Sequence, residues 1–172
     1  MAREMQVADI VEESLEACVK DADLVILATP IRAFERLFRQ MRPLLKSGCI
    51  VTDVGSTKNF PHQWASRILK KNIHYVGSHP IAGSEKRGVE FARDDLLAGA
   101  RCIVTKTKKT HAGAVRTLVN LWKQLGCRVE VMSPQQHDRI FGYISHLTHI
   151  TAASLVNAND PAFLRLAGKG FI

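Results

Sequence analysis

Leu24-Val25-Ile26-Leu27-Ala28-Thr29-Pro30 is an unbroken apolar run that ends on a polar residue and a proline. A short segment apolar on both faces belongs inside a parallel sheet covered by helices on each side, since a half-exposed strand would alternate. The flanking segments follow the same logic. Upstream, residues 12–19 carry Leu15, Cys18 and Val19 at helical spacing, ahead of Lys20-Asp21-Ala22-Asp23. Downstream, residues 33–45 repeat Phe34, Leu37, Phe38, Met41, Leu44 and Leu45 with helical period until Ser47-Gly48 breaks the pattern. Cys49-Ile50-Val51-Thr52-Asp53-Val54 predicts the next strand, Pro61 suits the first turn of a helix through Ile68 and Leu69, and residues 73–76 predict a third strand.

The alternation continues to the C-terminal third. Residues 101–105 predict a strand, residues 111–125 a helix closed by Gly126, and residues 128–132 a last strand. Ser133-Pro134 then opens a long helix across about residues 135–157. Strands alternating with helices through short connectors predict an α/β fold, a Rossmann-like parallel sheet with right-handed crossovers. That sheet domain is expected over residues 1–133, followed by the start of an all-helical domain over residues 134–172.

Composition narrows the function classes. The 172 residues are 46% hydrophobic, enough for a sizeable core and against disorder. No apolar run approaches the roughly 20 residues of a membrane span, and residues 1–20 lack the apolar centre of a secretory signal. Cys18, Cys49, Cys102 and Cys127 form no CxxC pair and read as reduced thiols, which together predict a cytoplasmic protein that binds no membrane. The net charge of +8 gathers in residues 32–46, 67–71 and 106–109 without interleaved aromatics. That pattern argues for solvated faces first, an electropositive cleft steering a small anion second, and no nucleic acid.

In a parallel sheet, ligands bind beyond the carboxyl ends of the strands. Three consecutive strands end in Ala28-Thr29-Pro30, in Asp53-Val54-Gly55-Ser56-Thr57-Lys58, and in Gly77-Ser78-His79, so their loops are expected side by side on one rim. His79 opens the Gly-bounded loop His79-Pro80-Ile81-Ala82-Gly83, a suitable place for an acid–base imidazole. On the long helix, Gly142, Ser145, His146 and His149 form a small, polar stripe. They read either as ligand-facing groups or as helix histidines at a packing seam. An i,i+3 histidine pair with no carboxylate or Cys in register is not a metal site.

These stretches resemble a known family. Ala22-Asp23 through Thr29-Pro30, Asp53-Val54-Gly55-Ser56-Thr57-Lys58, and His79-Pro80-Ile81-Ala82-Gly83-Ser84-Glu85-Lys86-x-Gly88-Val89-Glu90 are similar to the prephenate/arogenate dehydrogenases of tyrosine biosynthesis. Met132-Ser133-Pro134-x-x-His137-Asp138 and Ser145-His146-Leu147-x-His149 extend the likeness in the family's order. The resemblance implies hydride transfer from the ring alcohol of prephenate or arogenate to NAD, with NADP as the alternative, and loss of the ring carboxylate as CO2. It assigns His79 as the proton acceptor, so activity should fall at acid pH, and Ser56 as the serine that bridges hydroxyl, histidine and nicotinamide. Ser84, Glu85, His149 and Ser145 are expected to contact the substrate, a small anion. Thr29, Pro30, Asp53, Val54, Gly55 and Ser56 are expected to line the dinucleotide.

The chain also departs from the family pattern. No G-x-G-x-x-G precedes Leu24, so the first βαβ unit is expected to be missing, with residues 9–12 a remnant of its third strand. The arginine that grips the ring carboxylate in the family has no assigned counterpart, and Arg165 is not given that role. Two readings follow: a dehydrogenase truncated at both ends, or an inactive binding remnant of one. The strand at residues 24–28 would present an apolar edge, so a homodimer or strand-exchanged oligomer is expected.

Overall fold

The computed structural model describes residues 5, 7–83, 88–164, 166 and 168. Its chain divides into two compact units, Met1–His137 and Asp138–Ile172.

The first unit is a mixed α/β sheet built as two three-stranded ladders. In the first ladder β1 (Leu24–Leu27), β2 (Ile50–Asp53) and β3 (His74–Tyr75) run parallel, with Leu27 level with Asp53 and Tyr75 level with Val51. In the second, β4 (Gly77–Ile81) pairs antiparallel with β5 (Arg101–Thr105), which pairs parallel with β6 (Arg128–Met132). Only Val76 separates β3 from β4, and its N–H donates to the Val51 carbonyl, so one extended segment passes from the first ladder into the second.

Helices cover both faces. Helix α1 (Leu15–Val19) is capped by Ser14, whose hydroxyl accepts from the Ala17 N–H at 3.1 Å. Helix α2 (Phe34–Met41) buries Phe34, Phe38 and Met41, and α3 (Asn59–Ile68) carries Pro61 in its first turn, where no backbone donor is missed. Together with Val51 and Leu27 these side chains form one core. Helix α4 (Ala112–Gln124) buries Ala114, Val115, Leu118 and Trp122 against Val76, Cys102 and Val104 in a second core. Consecutive residues of β2 divide between the two: Ile50 packs with the second core and Val51 lies in the first. That is the period-two alternation of a strand buried on both sides. Gly126, at φ 87°, closes α4 in the left-handed conformation, letting Cys127 N–H reach back to the Trp122 carbonyl at 2.9 Å.

Three expectations change here. The sheet is not all parallel, and His79 does not sit in a loop: it lies in the middle of β4, opposite Ile103 of β5. Gly77, Pro80 and Gly83 read locally as loop formers, but pairing with β5 overrides that preference, and proline is tolerated on a strand edge. Residues 9–12 form no strand; Ile10 is 72% exposed, and among the described residues no segment pairs with them. The long helix opens with α5 (Pro134–Phe141), inside which the division between the units falls. It passes into a π-helical turn, Gly142–His146, before α6 (Leu147–Asn157), and α7 (Pro161–Leu164) follows. The expectation of a helical C-terminal segment is met, and the π turn inside it was not expected.

Candidate active site

The rim at the carboxyl ends of β1 and β2 is set by local bonding. Thr29 and Pro30 follow β1 and are exposed, and Pro30 leads into a short 3-10 turn, Ile31–Ala33. Beside them the Val54 N–H donates to the Leu27 carbonyl at 3.1 Å, tying the second loop to the end of β1. Val54 and Gly55 are half-buried, and Ser56 is exposed at the tip.

Asp53 shapes that tip from beneath. One carboxylate oxygen accepts from the Gly55 N–H at 2.9 Å and from the Lys58 ammonium, and the other accepts from the Tyr75 hydroxyl at 2.7 Å. The side chains of Asp53 and Lys58 are both 0% exposed. A buried ion pair persists only where further hydrogen bonds satisfy its lone pairs, and here Gly55 and Tyr75 do so. Burial, then the Asp53 charge and the bond to it, hold the Tyr75 hydroxyl well above its ordinary range, so it stays a neutral donor. The Asp53 carboxylate thus faces inward, which leaves the residue's backbone as the part that can line a dinucleotide. It braces the turn that presents Gly55 and Ser56.

The next strand continues the rim. The Ser78 hydroxyl accepts from the Trp122 indole at 2.9 Å and is hydrogen-bonded to the Thr52 hydroxyl of β2, 2.8 Å away. All three side chains are buried, so the level of β4 against β2 is fixed by a satisfied polar chain. Side chains alternate along β4, so His79 emerges on the opposite face from Ser78. On that face Thr105 donates to the Gly77 carbonyl at 3.3 Å and is 2.9 Å from His62 Nε2, so the ring donates to it.

His79 is half-buried, and its Nδ1 lies 2.9 Å from Nε2 of His137 on α5. The rings meet edge to face, 5.1 Å apart at 64°. His137 is 0% exposed. The contact with buried His137 steadies the orientation of the His79 ring. Cys102, opposite Pro80 on β5, is no competing nucleophile, because burial, reinforced by Cys127, pushes its thiol up to about 12.

The remaining candidates fall elsewhere. Ser84 and Glu85 lie outside the described residues. In the second unit Ser145 is half-buried within the π turn and His149 is exposed on α6. Sequence reasoning gave no role to His137 or Lys58, although both stand in quoted motifs. The available signal for His137 was a lone imidazole three and four residues before Ile140 and Phe141, on a helix face otherwise destined for packing.

Comparisons with known proteins extend this geometry. Residues 1–131 match the family model of the prephenate dehydrogenase nucleotide-binding domain, and residues 133–172 match that of the prephenate dehydrogenase dimerization domain. Prephenate dehydrogenase of Bacillus subtilis is 38% identical over 99% of this chain and 48% of its own length. Cyclohexadienyl dehydrogenase of Zymomonas mobilis is 33% identical over 90% of this chain and 53% of its own. The chain therefore spans about half the length of the curated relatives it matches. Among solved structures, prephenate dehydrogenase of Aquifex aeolicus in complex with hydroxyphenyl propionate and NAD+ superposes with a TM-score of 0.90 at 36% identity, covering 99% of this chain and 61% of that one. Arogenate dehydrogenase of Synechocystis gives 0.83 at 28% identity, over 99% of this chain and 63% of its own.

Proposed function

We propose, for a chain that belongs to the prephenate dehydrogenase family, oxidative decarboxylation of prephenate or arogenate with NAD, the dinucleotide named in the Aquifex aeolicus complex. The observation that carries the proposal is the 2.9 Å contact between His79 on β4 and His137 on α5, with Ser78 of the same strand bonded to Thr52 of β2, the neighbour of the Asp53 that braces the Gly55 turn.

The residues present fit the nicotinamide end of a dinucleotide. Phe34 and Ile31 fill the space under Gly55, 3.5 and 3.6 Å from where a Cβ would lie, so the turn offers its backbone and the exposed Ser56 as the binding surface. Thr29, Pro30 and Val54 extend that surface. Bound there, NAD+ supplies the hydride acceptor. The protein's work is then to orient the ring carbinol and draw off its proton. His79 accepts the hydroxyl proton at Nε2 as the C4 hydride departs, and His137 receives the Nδ1–H bond of the resulting imidazolium. Ser56 holds the hydroxyl toward His79. The electrons of the breaking bond to the ring carboxylate enter the ring, and CO2 leaves. Ser84, Glu85, Ser145 and His149 are substrate contacts on the strength of their motifs alone. The reading includes a cytoplasmic homodimer, with residues 1–133 serving the dinucleotide and residues 134–172 opening the helical dimerisation domain.

Two measurements test it. Calorimetry should register NAD+ binding, and absorbance should follow NADH formed only when prephenate or arogenate is added. His79→Ala should abolish turnover while leaving substrate affinity within about threefold, the pattern of a group used in the transition state. Equal loss of binding and turnover would leave His79 a structural residue and sink the mechanism.

A further inference from the structure

A cavity of about 590 Å³ lies in the first unit, lined by neither Thr29, Pro30 nor the loop of residues 53–58. Its walls are one side of α3 from Asn59 to Ser66, residues 69–75 leading into β3, the turn after β5 and the first residues of α5. Lys70 and Lys71 stand on one side and Lys108 and Lys109 on another, and no Asp or Glu lines it. None of the four lysines forms an ion pair among the described residues, whereas Lys46, Lys58, Arg39, Arg67, Arg93 and Arg101 all do.

The wall bearing Lys108 and Lys109 is built rather than loose. Thr107 and Thr110 lock it, with the Thr107 N–H donating to the Thr110 hydroxyl at 2.9 Å and the Lys109 N–H to the Thr107 hydroxyl at 3.2 Å. His111 follows as the N-cap of α4, its Nδ1 accepting from the Ala114 N–H at 3.2 Å, and its ring stacks on His74 at 4.2 Å and 13°. The pair gives the cavity a flat edge of two stacked imidazoles beside a helix N-terminus that carries partial positive charge. Four cations around one concave space repel one another, and an anion bound among them would relieve that repulsion.

We propose that this cavity is a binding site for a small polyanion, a molecule with two or more phosphate or carboxylate groups, separate from the dinucleotide rim. Its volume suits a small-molecule ligand and its walls are concave. A nucleic-acid surface would instead present a stripe with stacking aromatics, and Tyr75, the aromatic ring at the cavity, is committed to Asp53.

Calorimetric titration of the whole chain with inorganic pyrophosphate and, separately, with citrate tests this. At least one should bind with a stoichiometry of one, and which of them does separates a phosphate ligand from a carboxylate one. Saturating NAD+ should leave that binding unchanged. The double variant Lys70→Ala/Lys108→Ala should bind about tenfold more weakly or worse, whereas Lys46→Ala, outside the cavity and paired with Asp23, should bind normally. All four lysines are on the surface, so circular dichroism should find the variants folded. No heat from either anion, competition by NAD+, or equal affinity in the lysine variant overturns the proposal. So does duplex DNA that binds more tightly than either anion and is lost in the same variant.

Discussion

Asp53 shows how much can rest on one buried carboxylate. Its partners are Lys58, Tyr75 and the Gly55 N–H, and both members of the ion pair are closed to solvent. Lys58→Met should therefore cost about 3–5 kcal/mol in urea unfolding, because the carboxylate is stranded, and adding Asp53→Asn should return part of it. A double variant no more stable than the single one would mean that the pair is not coupled. His137 is the second case. As a positioning residue it should act on kcat: His137→Phe should lower it about 10–100-fold with KM nearly unchanged, while His137→Gln, which keeps an acceptor for His79 Nδ1, recovers part of the rate. A purely packing role predicts the reverse, with Phe the better substitute. The sequence made Asp53, Ser56 and His79 visible because each closes a strand motif. It could not reveal that Asp53 turns inward, since that depends on Tyr75 of another strand and on Lys58 reaching back past Gly77. Nor could it select His137, whose role exists only once α5 lies against β4.

At the scale of elements, the strands rich in β-branched and apolar residues were legible and the composite one was not. Residues 24–27, 50–53, 101–105 and 128–132 were all expected as strands and are strands. β4 escaped because the first four of its residues, Gly-Ser-His-Pro, carry no strand preference, and the register to β5 makes them a strand. Two glycines separate such tertiary demands from local ones. A Cβ on Gly77 would sit 2.5 Å from Thr105 Oγ1 and 3.0 Å from Lys58, so Gly77→Ala should destabilise the fold by about 1–3 kcal/mol. Gly142, in the π turn, has nothing within 4 Å of that position, so Gly142→Ala should gain about 0.5–1 kcal/mol of helix stability. Thermal unfolding of the two variants should shift in opposite directions. The edge of the first ladder makes a further prediction. β1 pairs only with β2 among the described residues, and Ile26 is 43% exposed. Ile26→Lys, a charge on an open edge, should lower self-association measured by light scattering at micromolar concentration. No change would show that contacts other than this edge hold copies together.

For the molecule as a whole, charge is the property that no single element carries. The net charge of +8 reads at first as solvated surface, and most cations do pair with neighbouring carboxylates or point to water. Yet the proposed reactants, NAD+ and a ring dicarboxylate, are both anions, so the summed field should speed their encounter even where no lysine touches them. Such a field acts across distance and is therefore sensitive to salt: the screening length falls from about 10 Å at 0.1 M to about 3 Å at 1 M. The bond between His79 and His137, at 2.9 Å, lies within either length and inside the protein. Raising sodium chloride over that range should then lower kcat/KM several-fold while kcat holds nearly constant, because encounter weakens and the chemical step does not. A parallel fall in kcat would place the salt effect in the catalytic geometry instead, and a flat kcat/KM would show that the basic surface has no part in bringing the reactants in.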